Sequence, residues 1–131
     1  MTRIGGNFAK WDVAMGYHSV FRKELFQDQT IIITGGGSGI GRCTAHELAA
    51  LGSHVAIIGR KQEKLDRVAG EIQEDGGSVE THSCDIRDEA KVAETVSNVV
   101  KNLGQIHGLV YYAGGQFPSP IAAINQKGFE T

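Results

Sequence analysis

The chain has 131 residues, 40% hydrophobic and 21% charged, a composition that suits one globular domain and excludes a disordered or fibrous protein. Its formal net charge is -2 at pH 7 with acids and bases interspersed, which excludes nucleic acids and anionic membranes as partners and favours small molecules. The longest apolar stretches are strand-length, far short of the ~20 residues of a membrane helix. The N-terminus lacks the continuous apolar segment of a secretory signal, so we expect a cytoplasmic protein.

Neither the cysteines nor the histidines predict a metal site. Cys43 and Cys84 belong to no Cys-x-x-Cys pair, and we expect both to be reduced, structural thiols. The five histidines, at positions 18, 46, 54, 82 and 107, show no ligand spacing. We therefore assign no metal ligands.

Residues 1–28 have mixed polar character and are interpreted as an N-terminal arm, in which Phe21, Leu25 and Phe26 could form one short apolar helical face. Residues 29–131 alternate between strand and helix patterns and are interpreted as a dinucleotide-binding half-domain. Strands are predicted at 29–34, 54–59, 78–84 and 106–112, and helices at 39–51, 62–75 and 88–103. This βαβαβαβ order predicts an α/β fold with a doubly wound parallel sheet of the Rossmann type, strand order 3-2-1-4, because parallel crossovers are right-handed.

Each predicted helix has an apolar face, and a glycine follows it. Strands such as those at 54–59 and 106–112 are nearly continuously apolar, as expected when helices cover both faces of a parallel sheet. Gly52, Gly76–Gly77 and Gly104 are placed to end the three helices. The apolar faces comprise Ala45, Leu48, Ala49 and Leu51 in the first helix, Leu65, Val68, Ala69 and Ile72 in the second, and Val92, Val96, Val99, Val100 and Leu103 in the third.

The fourth strand, at 106–112, has the apolar character of a central strand, although this topology places it at the sheet edge. A further helical segment is predicted from Ile121 to Thr131, with no residue that closes it. We expect a chain truncated after the fourth strand, whose exposed edge pairs with the remaining half of the domain or with another polypeptide.

A glycine-rich turn joins the first strand to the first helix, at residues 34–41. A diphosphate must approach main-chain N–H groups more closely than a Cβ allows, and glycine permits that approach. The helix that follows points unpaired N–H groups and the positive end of its dipole at the same place. The turn therefore predicts a nucleotide-phosphate site.

Four features together resemble the short-chain dehydrogenase/reductase family, over about residues 28–131. The glycines are spaced Gly35-x-x-x-Gly39-x-Gly41 behind Thr34, which differs from the G-x-G-x-x-G of many dehydrogenases. The other three features follow the later strands: Arg60-Lys61 after the second, Asp85-Ile86 after the third, and Ala113-Gly114 after the fourth.

The resemblance implies a role for each of these residues. Asp85 would accept a hydrogen bond from the adenine amino group while Ile86 packs on the ring; alternatively, Asp85 is the N-cap of the next helix. Ala113 and Gly114 would admit the nicotinamide ribose. The diphosphate would be wrapped by Gly35, Ser38, Gly39 and Ile40, with Gly41 bringing the helix close to the first strand.

Arg60 bears on the choice of cofactor. An acid at the end of the second strand would bind the ribose hydroxyls of NAD, whereas Arg60 can stack on adenine and pair with a 2′-phosphate. The resemblance therefore implies NADP, with Lys61 assisting. NAD stays an alternative, because Gly59 supplies no hydroxyl and a basic pair can simply be solvated at a helix start.

Two departures from the family pattern stand out. Tyr111 and Tyr112 replace the two asparagines that usually precede Ala-Gly. The family's catalytic serine, tyrosine and lysine lie beyond the region that this sequence covers, and Tyr111, Tyr112, Ser119 and Lys127 do not match the Tyr-x-x-x-Lys spacing. We assign no catalytic residue.

The resemblance implies an NAD(P)-dependent oxidoreductase, of which this chain carries the cofactor-binding part, and a homo-oligomer at full length. Residues 113–120 are similar to the corresponding segment of enoyl-CoA and dienoyl-CoA reductases and of citronellol-type dehydrogenases. The substrate would then be a small molecule, lipid-like or an acyl-CoA. Two alternatives stay open: a non-catalytic nucleotide-binding or assembly module, and an S-adenosylmethionine-dependent methyltransferase, which predicts an acid in place of Arg60.

Overall fold

The computed structural model describes residues 16–114 and 120–123, and it contains the four strands and the first three helices predicted for the half-domain. The boundaries differ from the predictions by at most two residues. The elements are β1 (Thr30–Thr34), α1 (Gly39–Ala50), β2 (His54–Gly59), α2 (Gln62–Glu74), β3 (Ser78–Ser83), α3 (Glu89–Leu103) and β4 (Gly108–Tyr111). Of the helix predicted from Ile121 to Thr131, a single 3-10 turn, Ile121–Ala123, is described, and the remainder lies outside the described residues.

The four strands form one parallel sheet in the order β3-β2-β1-β4, which confirms the predicted topology. In the central register, Ile32 of β1 pairs with Ala56 of β2 on one side and Leu109 of β4 on the other. The chain moves outward from β1 through β2 to β3 and then returns to the far side of β1 at β4. The strand order therefore reverses between β1 and β4, and α/β sheets bind ligands at the carboxyl ends of strands at such a point.

Both faces of the central strands are buried, which explains their continuous apolar sequence. On one face, α1 and α2 pack against alternate residues of β1 and β2. On the other face, α3 covers the residues in between. The first cluster comprises Ile31, Ile33, Ala45, Ala49, Val55, Ile57, Leu65, Val68 and Ile72, and the second comprises Ile32, Ala56, Ile58, Cys84 and Val99.

The apolar face of α3 is only partly buried, in contrast to the sequence prediction. Val99 is fully buried, whereas Val96 and Val100 are 37% and 45% exposed. The α3 cluster includes residues of β1 and β2 and leaves Leu109 of β4 64% exposed. The helix therefore covers the centre of the sheet. Among the described residues, β4 is an apolar strand at the edge of the sheet, as predicted.

The described part of the arm, residues 16–28, contains turns and no α-helix, so the predicted helical face is wrong for this segment. Glu24 and Asp28 have positive φ angles of 65° and 60°, which interrupt a helical repeat. Phe26 packs against the α1–α2 core, and its N–H donates to the Leu51 carbonyl at 3.0 Å.

Tyr17 attaches the arm to the outer surface of α1 and α2. Its hydroxyl donates a hydrogen bond to the carboxylate of Glu47, as does the hydroxyl of Ser19. The Tyr17 N–H donates to Asp75 Oδ2 at 3.1 Å, and the Tyr17 ring lies 5.6 Å from the ring of His46. The contact thus spans both helices.

The Tyr17 phenol should ionise at a higher pH than an ordinary tyrosine. The hydrogen bond to Glu47 is the main cause, helped by burial and by the charge of Glu47, and it raises the pKa of Tyr17 to about 12. Because the pKa is raised, the protonated Tyr17 phenol stabilises the contact between the arm and α1. This stabilisation is fully present below pH 10.0, the ordinary pKa, and is lost as the pH rises through about 12. In a spectrophotometric titration of tyrosinate, Tyr17→Phe should remove a step near pH 12, and Glu47→Gln should shift that step towards 10. An unshifted step in Glu47→Gln would contradict the assignment.

Both cysteines are free thiols, but only Cys84 is buried; Cys43 lies exposed on α1, so the predicted structural role does not suit it. Within residues 16–114 and 120–123, no helix is long and apolar enough to span a membrane. In the same part of the chain, no group of histidine, cysteine or acidic residues is arranged to hold a metal ion.

Candidate cofactor site

The turn between β1 and α1 depends on its glycines. Gly35 and Gly39 have φ angles of 71° and 55°, a region that other residues rarely adopt. A Cβ built on Gly41 would lie 2.1 Å from the Gly35 carbonyl oxygen, so α1 meets the turn at a distance only glycine allows. A Cβ built on Gly39 would meet nothing within 4 Å, which leaves open space above the turn.

The N-terminus of α1 borders this open space and lacks a side-chain cap. Ser38 occupies the N-cap position with extended backbone, φ -165° and ψ 168°, and its hydroxyl makes no capping hydrogen bond. The first turn of α1 contains no acidic residue, and Ile40 within it is 70% exposed. The first N–H groups of a helix have no intrahelical acceptor and favour an anion, so this arrangement suits a phosphate group.

Thr34 connects the turn to the end of β4, a role that motif spacing did not reveal. Its Oγ1 accepts hydrogen bonds from the backbone N–H groups of Tyr112 and Ala113, both at 3.1 Å. A Cβ built on Gly35 would lie 3.0 Å from the carbonyl carbon of Tyr112. In the sequence, the available sign of this role is a threonine at the end of an apolar strand. The partners of its hydroxyl become clear only from the pairing of β1 with β4.

Replacing Thr34 with valine should destabilise the protein by about 1–2 kcal/mol, because the Ala113 N–H loses its acceptor while side-chain volume is nearly kept. We expect a lower urea midpoint. Thr81→Val is the matched control, since the Thr81 hydroxyl accepts from the exposed side chain of Gln62. Equal losses in the two variants would contradict the role of Thr34.

Tyr111 and Tyr112, which stand where the resembled family has asparagines, lie on opposite faces of the sheet edge. Tyr111 is 63% exposed. The Tyr112 hydroxyl accepts a long hydrogen bond, 3.4 Å, from Thr44 of α1. The Tyr112 phenol thus reaches α1. The side-chain hydrogen bonds that link the ends of β1 and β4 are made by Thr34.

The predicted adenosine-binding residues follow β2 and β3. Arg60 and Lys61 are both exposed, and Lys61 occupies the N-cap position of α2 without a capping side-chain bond. Asp85 and Ile86 follow β3 and are half-buried. The alternative of Asp85 as an N-cap is wrong, because Asp88 caps α3 and accepts from the Lys91 N–H at 3.0 Å.

Asp85 is instead bound by Arg87. The Arg87 Nε and backbone N–H donate to Asp85 Oδ1, each at 3.0 Å, and one terminal guanidinium nitrogen donates to Oδ2 at 2.6 Å. The Arg87 side chain, followed by its backbone N–H and, more weakly, the charge of Arg60, holds the pKa of Asp85 well below its usual range. Asp85 is therefore an ionised hydrogen-bond acceptor at neutral pH.

The structure brings the predicted residues to the carboxyl ends of the parallel strands, in two groups. Ala113 and Gly114 follow β4 beside Gly35, where a Cβ on Gly114 would meet nothing within 4 Å. The residues after β2 and β3 lie at the same carboxyl end of the sheet, because all four strands are parallel. A doubly wound sheet with an open glycine turn at its switch point is the arrangement in which α/β proteins bind nucleotide phosphates.

Comparisons with known proteins identify the family. The family model for short chain dehydrogenases matches residues 29–131. The solved structure of a citronellol catabolism dehydrogenase from Pseudomonas aeruginosa is 64% identical with a TM-score of 0.78, and the match covers 87% of this chain and 46% of that one. A metagenomic short-chain oxidoreductase, solved in complex with NADP, is 33% identical with a TM-score of 0.70 and is matched over 77% of this chain and 46% of its own.

A probable 2,4-dienoyl-CoA reductase of Bacillus subtilis is 33% identical over 104 residues, which are 79% of this chain and 41% of that protein. The chain therefore belongs to the short-chain dehydrogenase family. It spans less than half the length of these three relatives.

Proposed function

We propose that this chain is the cofactor-binding part of an NAD(P)-dependent oxidoreductase, which transfers a hydride between nicotinamide and a carbonyl, alcohol or enoyl carbon of a small substrate. The observation that carries the proposal is the open space above Gly39, beside the uncapped N-terminus of α1. Family membership of residues 29–131 supports the same assignment. When bound, the cofactor supplies the hydride chemistry.

The turn residues suit the diphosphate of that cofactor. The bare backbone at Gly39 leaves room for phosphate oxygens, whereas the missing Cβ of Gly35 lets the turn lie against the Tyr112 backbone. The free Ser38 hydroxyl can donate a hydrogen bond. Gly41 keeps the helix N-terminus close to the turn, and Ile40 at the first turn of α1 bounds the same space. These five residues would hold the diphosphate.

The ends of the other strands suit the two nucleosides. Asp85 is ionised and can accept a hydrogen bond from the adenine amino group, with Ile86 against the ring. Ala113 and Gly114 provide a backbone without bulky side chains where the nicotinamide ribose would lie.

NADP is the cofactor we favour over NAD. β2 ends at Gly59, with no acid to hold the ribose hydroxyls of NAD, and the exposed cations Arg60 and Lys61 follow it. Two adjacent positive charges stabilise a 2′-phosphate. The NADP complex of the metagenomic relative is consistent with this preference.

The substrate we propose is lipid-like or an acyl-CoA thioester, supported by the names of the citronellol and dienoyl-CoA relatives. The sequence contains no Tyr-x-x-x-Lys pair, so the proton-transfer residues are not assigned within this chain. A homo-oligomeric state and a cytoplasmic location stay predictions.

The test is a fluorescence titration of the protein, expressed from its native reading frame, with NADPH and with NADH. We expect saturable binding of NADPH, tighter than that of NADH, and cofactor-dependent turnover of a 2,4-dienoyl-CoA or of citronellol. Binding without turnover of any carbonyl, alcohol or enoyl substrate would favour the non-catalytic module. Absence of dinucleotide binding would overturn the proposed function.

A further inference from the structure

Arg87 lies in the turn between β3 and α3 and belongs to none of the resembled motifs. It donates three hydrogen bonds to Asp85: two reach Oδ1 and one reaches Oδ2. A carboxylate has about four acceptor sites, two on each oxygen. Arg87 therefore occupies both sites on Oδ1 and one on Oδ2, which leaves a single acceptor site on Oδ2 for a ligand.

The Asp85–Arg87 pair lies beside Arg60. The Cys84 N–H donates to the Gly59 carbonyl at 2.9 Å, and the Ser83 hydroxyl donates to the Arg60 carbonyl at 3.4 Å. Arg60 is close enough for its charge to lower the pKa of Asp85. The carboxylate is thus the one negative charge among these groups, and Arg87 pairs with it directly.

We propose that Arg87 is a positioning and specificity residue: it orients Asp85 so that Oδ2 accepts from the adenine amino group, and it cancels the carboxylate charge that would otherwise oppose a 2′-phosphate at Arg60. The inference rests on the proposed function and deepens it. An unpaired Asp85 could rotate, and its charge would partly offset that of Arg60. With Arg87 in place, the site keeps the net positive charge that a 2′-phosphate requires.

The test uses two cofactor fragments, adenosine 2′,5′-bisphosphate and adenosine 5′-monophosphate, in calorimetric titrations of the protein expressed from its native reading frame. Arg87→Met should weaken binding of the monophosphate about tenfold, the effect of one charged hydrogen bond, and binding of the bisphosphate by a larger factor. Arg87→Lys should weaken both fragments and keep their affinity ratio, because it preserves the charge but not the two-pronged geometry.

Two further variants separate positioning from other effects. Lys91→Met removes the same charge from an exposed pair with Glu94 on α3 and should change neither affinity by more than about twofold. In the Asp85→Asn background, Arg87→Met should cause no additional loss of monophosphate affinity, because Arg87 acts on adenine recognition through Asp85.

The outcomes are distinct. A further loss of monophosphate affinity from Arg87→Met in the Asp85→Asn background would show direct contact with the ligand and overturn the positioning role. Binding of both fragments to Arg87→Met within twofold of the unaltered protein would overturn this inference alone. Failure of the unaltered protein to bind either fragment would overturn the proposed function and the inference together.

Discussion

Replacing Gly41 with alanine should abolish dinucleotide binding and lower the free energy of unfolding by about 3 kcal/mol or more, the upper range for overpacking. The added Cβ would lie 2.1 Å from the Gly35 carbonyl oxygen and 2.7 Å from its carbonyl carbon. Both atoms belong to the backbone of the turn, so neither can move away as a flexible side chain would. Relief requires α1 to separate from β1, which dismantles the phosphate site.

Gly70→Ala is the control for Gly41→Ala. Gly70 lies within α2, and a Cβ there would meet nothing within 4 Å. Its replacement should stabilise the protein by about 0.5–1 kcal/mol, because alanine is the better helix former. Denaturant unfolding of both variants and NADPH titration give the comparison. The account of the turn fails if Gly41→Ala retains the stability and the affinity of Gly70→Ala.

Replacing Arg60 with glutamate should weaken NADP binding about 100-fold while changing NAD affinity by a few-fold at most. The substitution puts a carboxylate where we place the 2′-phosphate, and opposing like charges across an interface costs several kcal/mol. NAD carries ribose hydroxyls at that position, which a carboxylate can accept from.

Arg67→Glu makes the same charge change on the exposed surface of α2 and should leave both affinities within about twofold. The measurement is the dissociation constant of each dinucleotide at one fixed ionic strength. Equal losses of NAD and NADP affinity in Arg60→Glu would contradict the role of Arg60 in choosing the cofactor.

The sheet and the turn were predictable because their signals are local. Continuous apolar runs mark strands that are covered on both faces, and the glycines Gly52 and Gly104, with φ angles of 93° and 80°, follow α1 and α3 as expected. The cluster of glycines between β1 and α1 has few structural uses other than a close backbone approach. The fold and the open glycine turn therefore follow from short stretches of sequence.

The features that sequence reasoning missed depend on tertiary contacts. The exposure of Val96 and Val100 depends on which strands α3 covers, and the arm follows turns whose positive φ angles no apolar spacing reveals. Thr34 acts on residues 78 and 79 positions away. Two aspartates precede α3, and only the structure shows that Asp88 caps the helix while Asp85 binds Arg87.

A crystal structure of the protein with NADP bound would test the central claim most directly. The account predicts diphosphate oxygens within about 3 Å of main-chain nitrogens in the segment 35–41, at the N-terminus of α1. A dinucleotide bound with its diphosphate away from that turn, or a turn closed over the space above Gly39, would contradict it.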